Sequence, residues 1–146
     1  MKNDPSPEDL DAFAEKLQRV FMDEALKAYG AKVVDLWMSR RHQGSLEHPE
    51  GHARITGPCG DTMEIFLRIR EGRITQVTFL TDGCGPTQAS GSAVADLAMG
   101  KKPAEALAVD RESVLEMLGG LPEESRHCAQ LAAITLHKAI ENSRGQ

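Results

Sequence analysis

The residues best suited to chemistry are three cysteines, each in its own turn-like setting. They are Pro58-Cys59-Gly60-Asp61, Gly83-Cys84-Gly85-Pro86 and Arg126-His127-Cys128. They are the only cysteines in 146 residues. A carboxylate follows the first by two positions and an imidazole directly precedes the third. Thiolate sulfur suits zinc, iron or an iron–sulfur cluster, and a hard carboxylate among sulfurs leaves one weaker, exchangeable bond. Such a set either holds a permanent metal or handles a transient cargo.

Each residue also has a plainer reading. A single cysteine is usually a small buried hydrophobe, and Asp61 by itself could cap a turn. His127 reads as a metal ligand or as a first-turn helix residue hydrogen-bonded to a neighbour. Together the cysteines favour the site, because all three fall at the ends of elements and outside apolar stripes. His42, His48, His52 and His137 read as loop or surface residues, and Glu8-Asp9 and Glu123-Glu124 as helix-start charges. There is no Cys-x-x-Cys, which excludes a zinc finger and a thioredoxin-type redox pair. The ferredoxin cysteine run is absent too. Ligands drawn from three loops, one of them glycine-rich, suggest an accessible rim site.

The elements that must carry these residues follow from periodicity. Ser6-Pro7-Glu8-Asp9 opens a helix, with a capping serine, proline at the first position and acids in the first turn. Leu10, Phe13, Ala14, Leu17, Val20 and Phe21 continue it at a 3.6-residue period and predict a packed amphipathic helix that covers the domain or forms a dimer contact. Gly30 stops it. A shorter helix is expected over 31–41 with Val33, Leu36 and Trp37 inward, then a loop over 42–51.

A first strand is expected over 52–56. Met63, Ile65, Leu67 and Ile69 alternate with Glu64, Arg68 and Arg70 in a second strand with one wet face, and Glu71-Gly72 turns it into a third over 74–80. Pro86 starts a helix ending near Gly100, whose run Ala89-Ser90-Gly91-Ser92-Ala93 is small enough for very close packing. A short helix after Pro103 and others over 111–118 and 125–142 follow. The expected fold is therefore α+β: a three-stranded antiparallel sheet packed by helices, with an extra N-terminal helix. Cys59 falls between strands one and two. Cys84 and Cys128 sit near helix N-termini, where the macrodipole favours the thiolate.

Bulk properties exclude several functions. A 40% apolar chain of this length fits one domain with an ordinary core. A net charge of −5 gives no footing for nucleic acid, and no basic run suggests a membrane surface. No segment approaches the roughly 20 apolar residues of a membrane span. Met1-Lys2-Asn3-Asp4-Pro5 lacks a signal-peptide run, so a reducing, cytoplasmic setting is expected.

At these residues the chain resembles the U-type iron–sulfur cluster assembly scaffolds, the IscU/NifU N-terminal family, with a SufE/NifU-like fold. The resemblance runs from about Tyr29 to Ile140, leaving 1–28 as a helical extension on a 29–146 scaffold domain. It is carried by Ala28-Tyr29, Lys32-Val33-Val34-Asp35, Gly44-Ser45-Leu46, Cys59-Gly60-Asp61 and Gly83-Cys84-Gly85. Gly100-Lys101, Glu105-Ala106-Leu107, Leu121-Pro122 and His127-Cys128 complete it.

The resemblance implies a non-enzymatic scaffold that receives sulfur from a cysteine desulfurase and iron from an iron donor. It would build a [2Fe–2S] cluster, and onward a [4Fe–4S] cluster, for apo iron–sulfur acceptor proteins. Cys59, Cys84 and Cys128 would be cluster ligands, Asp61 the carboxylate that keeps the cluster labile, and His127 an alternative ligand. Such scaffolds often carry zinc when isolated. The alternative is a zinc-dependent sulfur acceptor of the SufU branch. That branch has an insertion before the third cysteine and lacks the histidine, whereas this chain has no insertion and keeps His127. Monomer and dimer both remain open.

Two departures matter. The family's Asn-Pro-Arg-Asn segment is Ser39-Arg40-Arg41-His42 here, and its Leu-Pro-Pro-Val-Lys chaperone segment is Leu121-Pro122-Glu123-Glu124-Ser125. The second departure argues against handling by the dedicated DnaK-class chaperone. Two carboxylates replace a proline and a valine, and a serine replaces the lysine, so a peptide of residues 120–125 should bind that chaperone poorly. Fluorescence anisotropy against the Leu-Pro-Pro-Val-Lys peptide checks this; equal affinity would show the departure to be harmless.

Overall fold

Strands β1 (Gly51–Thr56), β2 (Thr62–Arg70) and β3 (Arg73–Thr81) form an antiparallel sheet in that order. They belong to a computed structural model that describes residues 6–83 and 85–144. Glu71 and Gly72, with φ of 53° and 78°, make the two-residue turn between β2 and β3. Positive φ at both positions matches the right-handed twist of the flanking strands. Cross-strand rows Gly51–Leu67–Val77, Ala53–Ile65–Phe79 and Ile55–Met63–Thr81 then line one face.

Helices α3 (Gly85–Ala98) and α6 (Arg126–Arg144) cover that face. Their approach is set by small residues. A Cβ at Gly91 would lie 2.6 Å from the Phe79 ring, and one at Gly51 would lie 2.6 Å from the Ala139 carbonyl oxygen. Residues 89–93 of α3 are all buried, as their size suggests. The opposite sheet face is wet at Arg54, Gln76 and Leu80. Phe66 is buried there, its ring 4.9 Å from that of His52.

The remaining helices are α1 (Pro7–Tyr29), α2 (Ala31–Ser39), α4 (Pro103–Ala106) and α5 (Arg111–Leu118), with a 3-10 turn at Glu123–Ser125 before α6. α2 ends two residues before position 41, since Arg40 is left-handed with φ of 54°. Val33 and Leu36 are buried as expected, and Trp37 partly so. Among the described residues no helix is long and apolar enough to cross a membrane.

α1 starts at Ser6, whose hydroxyl accepts the Asp9 backbone N–H while the Asp9 carboxylate accepts that of Ser6. Its apolar stripe does not cover the domain. Leu10, Phe13, Leu17, Val20 and Phe21 are 48–60% exposed, and Ala25 is the buried residue. Contact with the rest of the molecule comes near the helix end, where Phe21 meets the Trp37 ring edge-on at 5.6 Å. Gly30, with φ of 90°, redirects the chain there. The period correctly gave a helix with one apolar stripe, but the turn at Gly30 points most of that stripe away from the domain.

The expected loop over 42–51 is pinned at both ends. Phe79 donates its N–H to His42 O at 2.9 Å and Gly44 N–H donates to Phe79 O at 3.0 Å, which covers the free edge of β3. Glu50 accepts the Ile69 N–H at 2.7 Å and pairs with Arg70 and Arg68. The Ile69 amide, then the two guanidiniums, hold its carboxyl below the usual carboxylate range. Three of the histidines expected as loop or surface residues also make polar contacts. His42 binds Asp96 at 2.6 Å, His52 binds Glu64 at 2.5 Å, and His137 donates to the Val109 carbonyl at 2.5 Å.

The Gly91 contact gives a direct test. Gly91→Ala forces the Phe79 ring to move and should destabilise by about 1–3 kcal/mol, the usual cost of overpacking a core. Gly57→Ala meets Leu131 only at an ordinary 3.6 Å and should be near neutral. Denaturant midpoints of the two variants check this.

Candidate metal and cluster site

Asp61 closes the turn between β1 and β2. The Gly57 N–H donates to Asp61 O at 2.8 Å and the Gly60 N–H to Gly57 O at 3.0 Å, with Gly60 at φ 95°. Cys59 sits at the apex of this turn and is exposed. Asp61 is partly buried, and its carboxylate points back toward the helical layer.

There it meets Thr87, in the first turn of α3. The Thr87 hydroxyl donates to Asp61 Oδ2 at 2.8 Å and lies 3.2 Å from Cys128 Sγ. Cys128 is the third residue of α6. Thr87 is 1% and Cys128 5% exposed. One buried hydroxyl thus joins the carboxylate of one sequence motif to the sulfur of another. His127 is exposed, with Nε2 3.7 Å from Cys128 Sγ.

The segment that enters α3 is held tightly. A Cβ at Gly83 would lie 2.7 Å from Thr87 Cβ and 2.8 Å from Asp61 Oδ2, so only glycine lets the backbone pass between them. The Gly83 N–H donates to Thr81 Oγ1 at 3.1 Å, and Gln88 Nε2 donates to Gly83 O at 3.2 Å. Gln88 is itself bonded by Gln43. Gly85, with φ of 34°, lies under Trp37, whose ring would be 3.4 Å from a Cβ there. Cys84 lies outside the described residues.

Asp61, Cys128 and His127 are therefore neighbours, and Cys59 stands on the turn that carries Asp61. Among the described residues no three His, Cys, Asp or Glu side chains gather closely enough to hold a metal ion. The accessible rim expected from sequence fits Cys59 but not Cys128, which is enclosed by the start of α6 and by Thr87. Thr87 and Gln88 were missed by motif reading. Their signal was position: the first turn of a helix that begins beside a candidate ligand.

The family model described as NifU-like N terminal domain matches residues 28–146. The chain belongs to this family. It is 39% identical over 113 residues to iron–sulfur cluster assembly scaffold protein IscU 1 of Archaeoglobus fulgidus, covering 77% of this chain and 74% of the relative. With the IscU scaffold protein of Aquifex aeolicus the identity is 35% over 117 residues, covering 78% and 74%. The crystal structure of a nitrogen-fixing NifU-like protein (N-terminal) from Brucella abortus superposes with a TM-score of 0.65 at 22% identity, covering 83% of this chain and 97% of that one. The last likeness establishes the shared fold: a three-stranded antiparallel sheet packed by helices.

Proposed function

We propose that this protein is a scaffold on which iron–sulfur clusters are assembled and from which they pass to apo-proteins. The observation that carries the reading is the meeting of Asp61 and Cys128 at one buried hydroxyl, beside the Gly83–Gly85 segment that brackets Cys84. Family membership and the names of the IscU relatives support it. The cluster is cargo, with [2Fe–2S] the form that Cys59, Cys84, Cys128 and Asp61 would hold and His127 an alternative ligand. Residues 29–146 are the scaffold domain and 1–28 an extension. The protein is a carrier rather than an enzyme, working in the cytoplasm with a cysteine desulfurase, an iron donor and apo iron–sulfur acceptors.

The site's asymmetry suits this work. Cys59 is exposed on a turn, where a donor can reach it, while Cys128 is buried and can retain what is built. A carboxylate oxygen is a harder donor than sulfur and binds iron less covalently. The Asp61 bond is therefore the one to open first during transfer.

Asp61→Ala leaves the three thiolates, with His127 or solvent as fourth ligand. The variant should still assemble a cluster but release it to an apo-ferredoxin about tenfold more slowly, about 1.4 kcal/mol in the barrier. A structural zinc site predicts the reverse, since losing one of four fixed ligands lowers metal retention and thermal stability. Transfer rate and metal retention, measured side by side, decide. Ready metal loss with undiminished transfer would remove Asp61 from this role.

A further inference from the structure

Buried hydroxyls in this fold mostly satisfy backbone carbonyls. Ser90 donates to Pro86 O at 2.7 Å, Ser92 to Leu36 O at 3.3 Å and Thr135 to Leu131 O at 2.7 Å. The Ser90 and Thr135 bonds are the local ones expected in helices, while Ser92 reaches across to α2. Thr87 reaches two side chains instead, Asp61 at 2.8 Å and Cys128 at 3.2 Å. Its hydroxyl has a single proton to donate, and the shorter contact is to the carboxylate. Glycine at 83 leaves room for the pair, since a Cβ there would strike both Thr87 and Asp61. Asp61 sits at the end of a turn, where its carboxylate would otherwise sweep through solvent.

We propose that Thr87 is a positioning residue: its buried hydroxyl holds the Asp61 carboxylate beside Cys128 and so makes Asp61 a ligand of the cargo. This rests on the scaffold reading of the same site. Only Oδ2 is engaged by Thr87, which leaves Oδ1 for iron. Hydrogen bonds of this outer kind orient a ligating carboxylate, and losing one typically changes metal binding by about 10–100-fold. Without the hydroxyl, Asp61 becomes an ordinary turn residue. Thr87→Val, nearly equal in shape, should then behave as Asp61→Ala does.

The test compares wild type, Thr87→Val, Thr87→Ser, Asp61→Ala and the Thr87→Val/Asp61→Ala double variant. Each is loaded anaerobically with cobalt(II), whose absorption bands report oxygen and sulfur ligands, and separately with cluster for transfer to apo-ferredoxin. Thr87→Val should shift the cobalt spectrum to that of Asp61→Ala and slow transfer by a similar factor. Thr87→Ser, which keeps the hydroxyl, should match wild type. The double variant should match Asp61→Ala alone, because a residue acting through another adds nothing once that other is gone. A wild-type cobalt spectrum for Thr87→Val overturns the proposal, as does a double variant whose effects sum. So does Thr87→Ser behaving like Thr87→Val, which would show packing rather than the hydroxyl to be responsible. Should the valine variant fail to fold, Thr87→Ala takes its place under the same criteria. A wild-type protein that binds cobalt but takes up no cluster overturns the scaffold reading, while the cobalt comparison still decides the role of Thr87.

Discussion

The site depends on how closely α3 lies against β3. Residue 91 has no side chain, so the helix rests on the face of Phe79, where a Cβ would be only 2.6 Å from the ring. Eight residues earlier, glycine at 83 lets the chain leave β3 between Asp61 and Thr87. These two close approaches place the first turn of α3 within hydrogen-bonding reach of the β1–β2 turn and of the start of α6. Interiors are packed at crystal-like density, so an added methyl group at either point displaces something. At Gly91 that is core; at Gly83 it is the site itself.

From this constraint the chemistry follows. Burying a hydroxyl is costly without polar partners, and Thr87 finds a carboxylate and a sulfur supplied by residues far apart in sequence. A carboxylate and a sulfur are thereby brought to one place, with Cys128 enclosed and Cys59 exposed on the turn that carries Asp61. A site built only to keep a metal would gain from enclosing every ligand. Under the proposed function, a thiol on an exposed turn and an exchangeable oxygen would suit transfer rather than storage. Belonging to the NifU-like N-terminal family agrees with that physical reading.

Much of the scaffold was legible because it is encoded locally. The Ser6 cap, the Glu71-Gly72 turn and the 111–118 helix each depend on neighbours within a few positions, and each is found as the pattern suggests. What escaped is long-range. The bulge that sets Arg68 opposite Gln76 but Ile69 opposite Ile74 depends on how two strands settle together. The strap of His42 and Gly44 on the β3 edge joins segments more than thirty residues apart in the chain. Periodicity identified the apolar stripe of α1 but carried no information on the direction imposed at Gly30. The cysteines and Asp61 stood out by residue type, whereas Thr87 looks ordinary until its two neighbours are seen.

The proposed function requires this site to take up a cluster. Anaerobic reconstitution with iron, sulfide and a cysteine desulfurase, followed by absorbance together with iron and sulfide analysis, tests it most directly. Visible sulfur-to-iron charge-transfer bands should appear with equal amounts of iron and sulfide, both lost when Cys59, Cys84 or Cys128 is replaced by alanine. A colourless protein that keeps one stoichiometric zinc would contradict it.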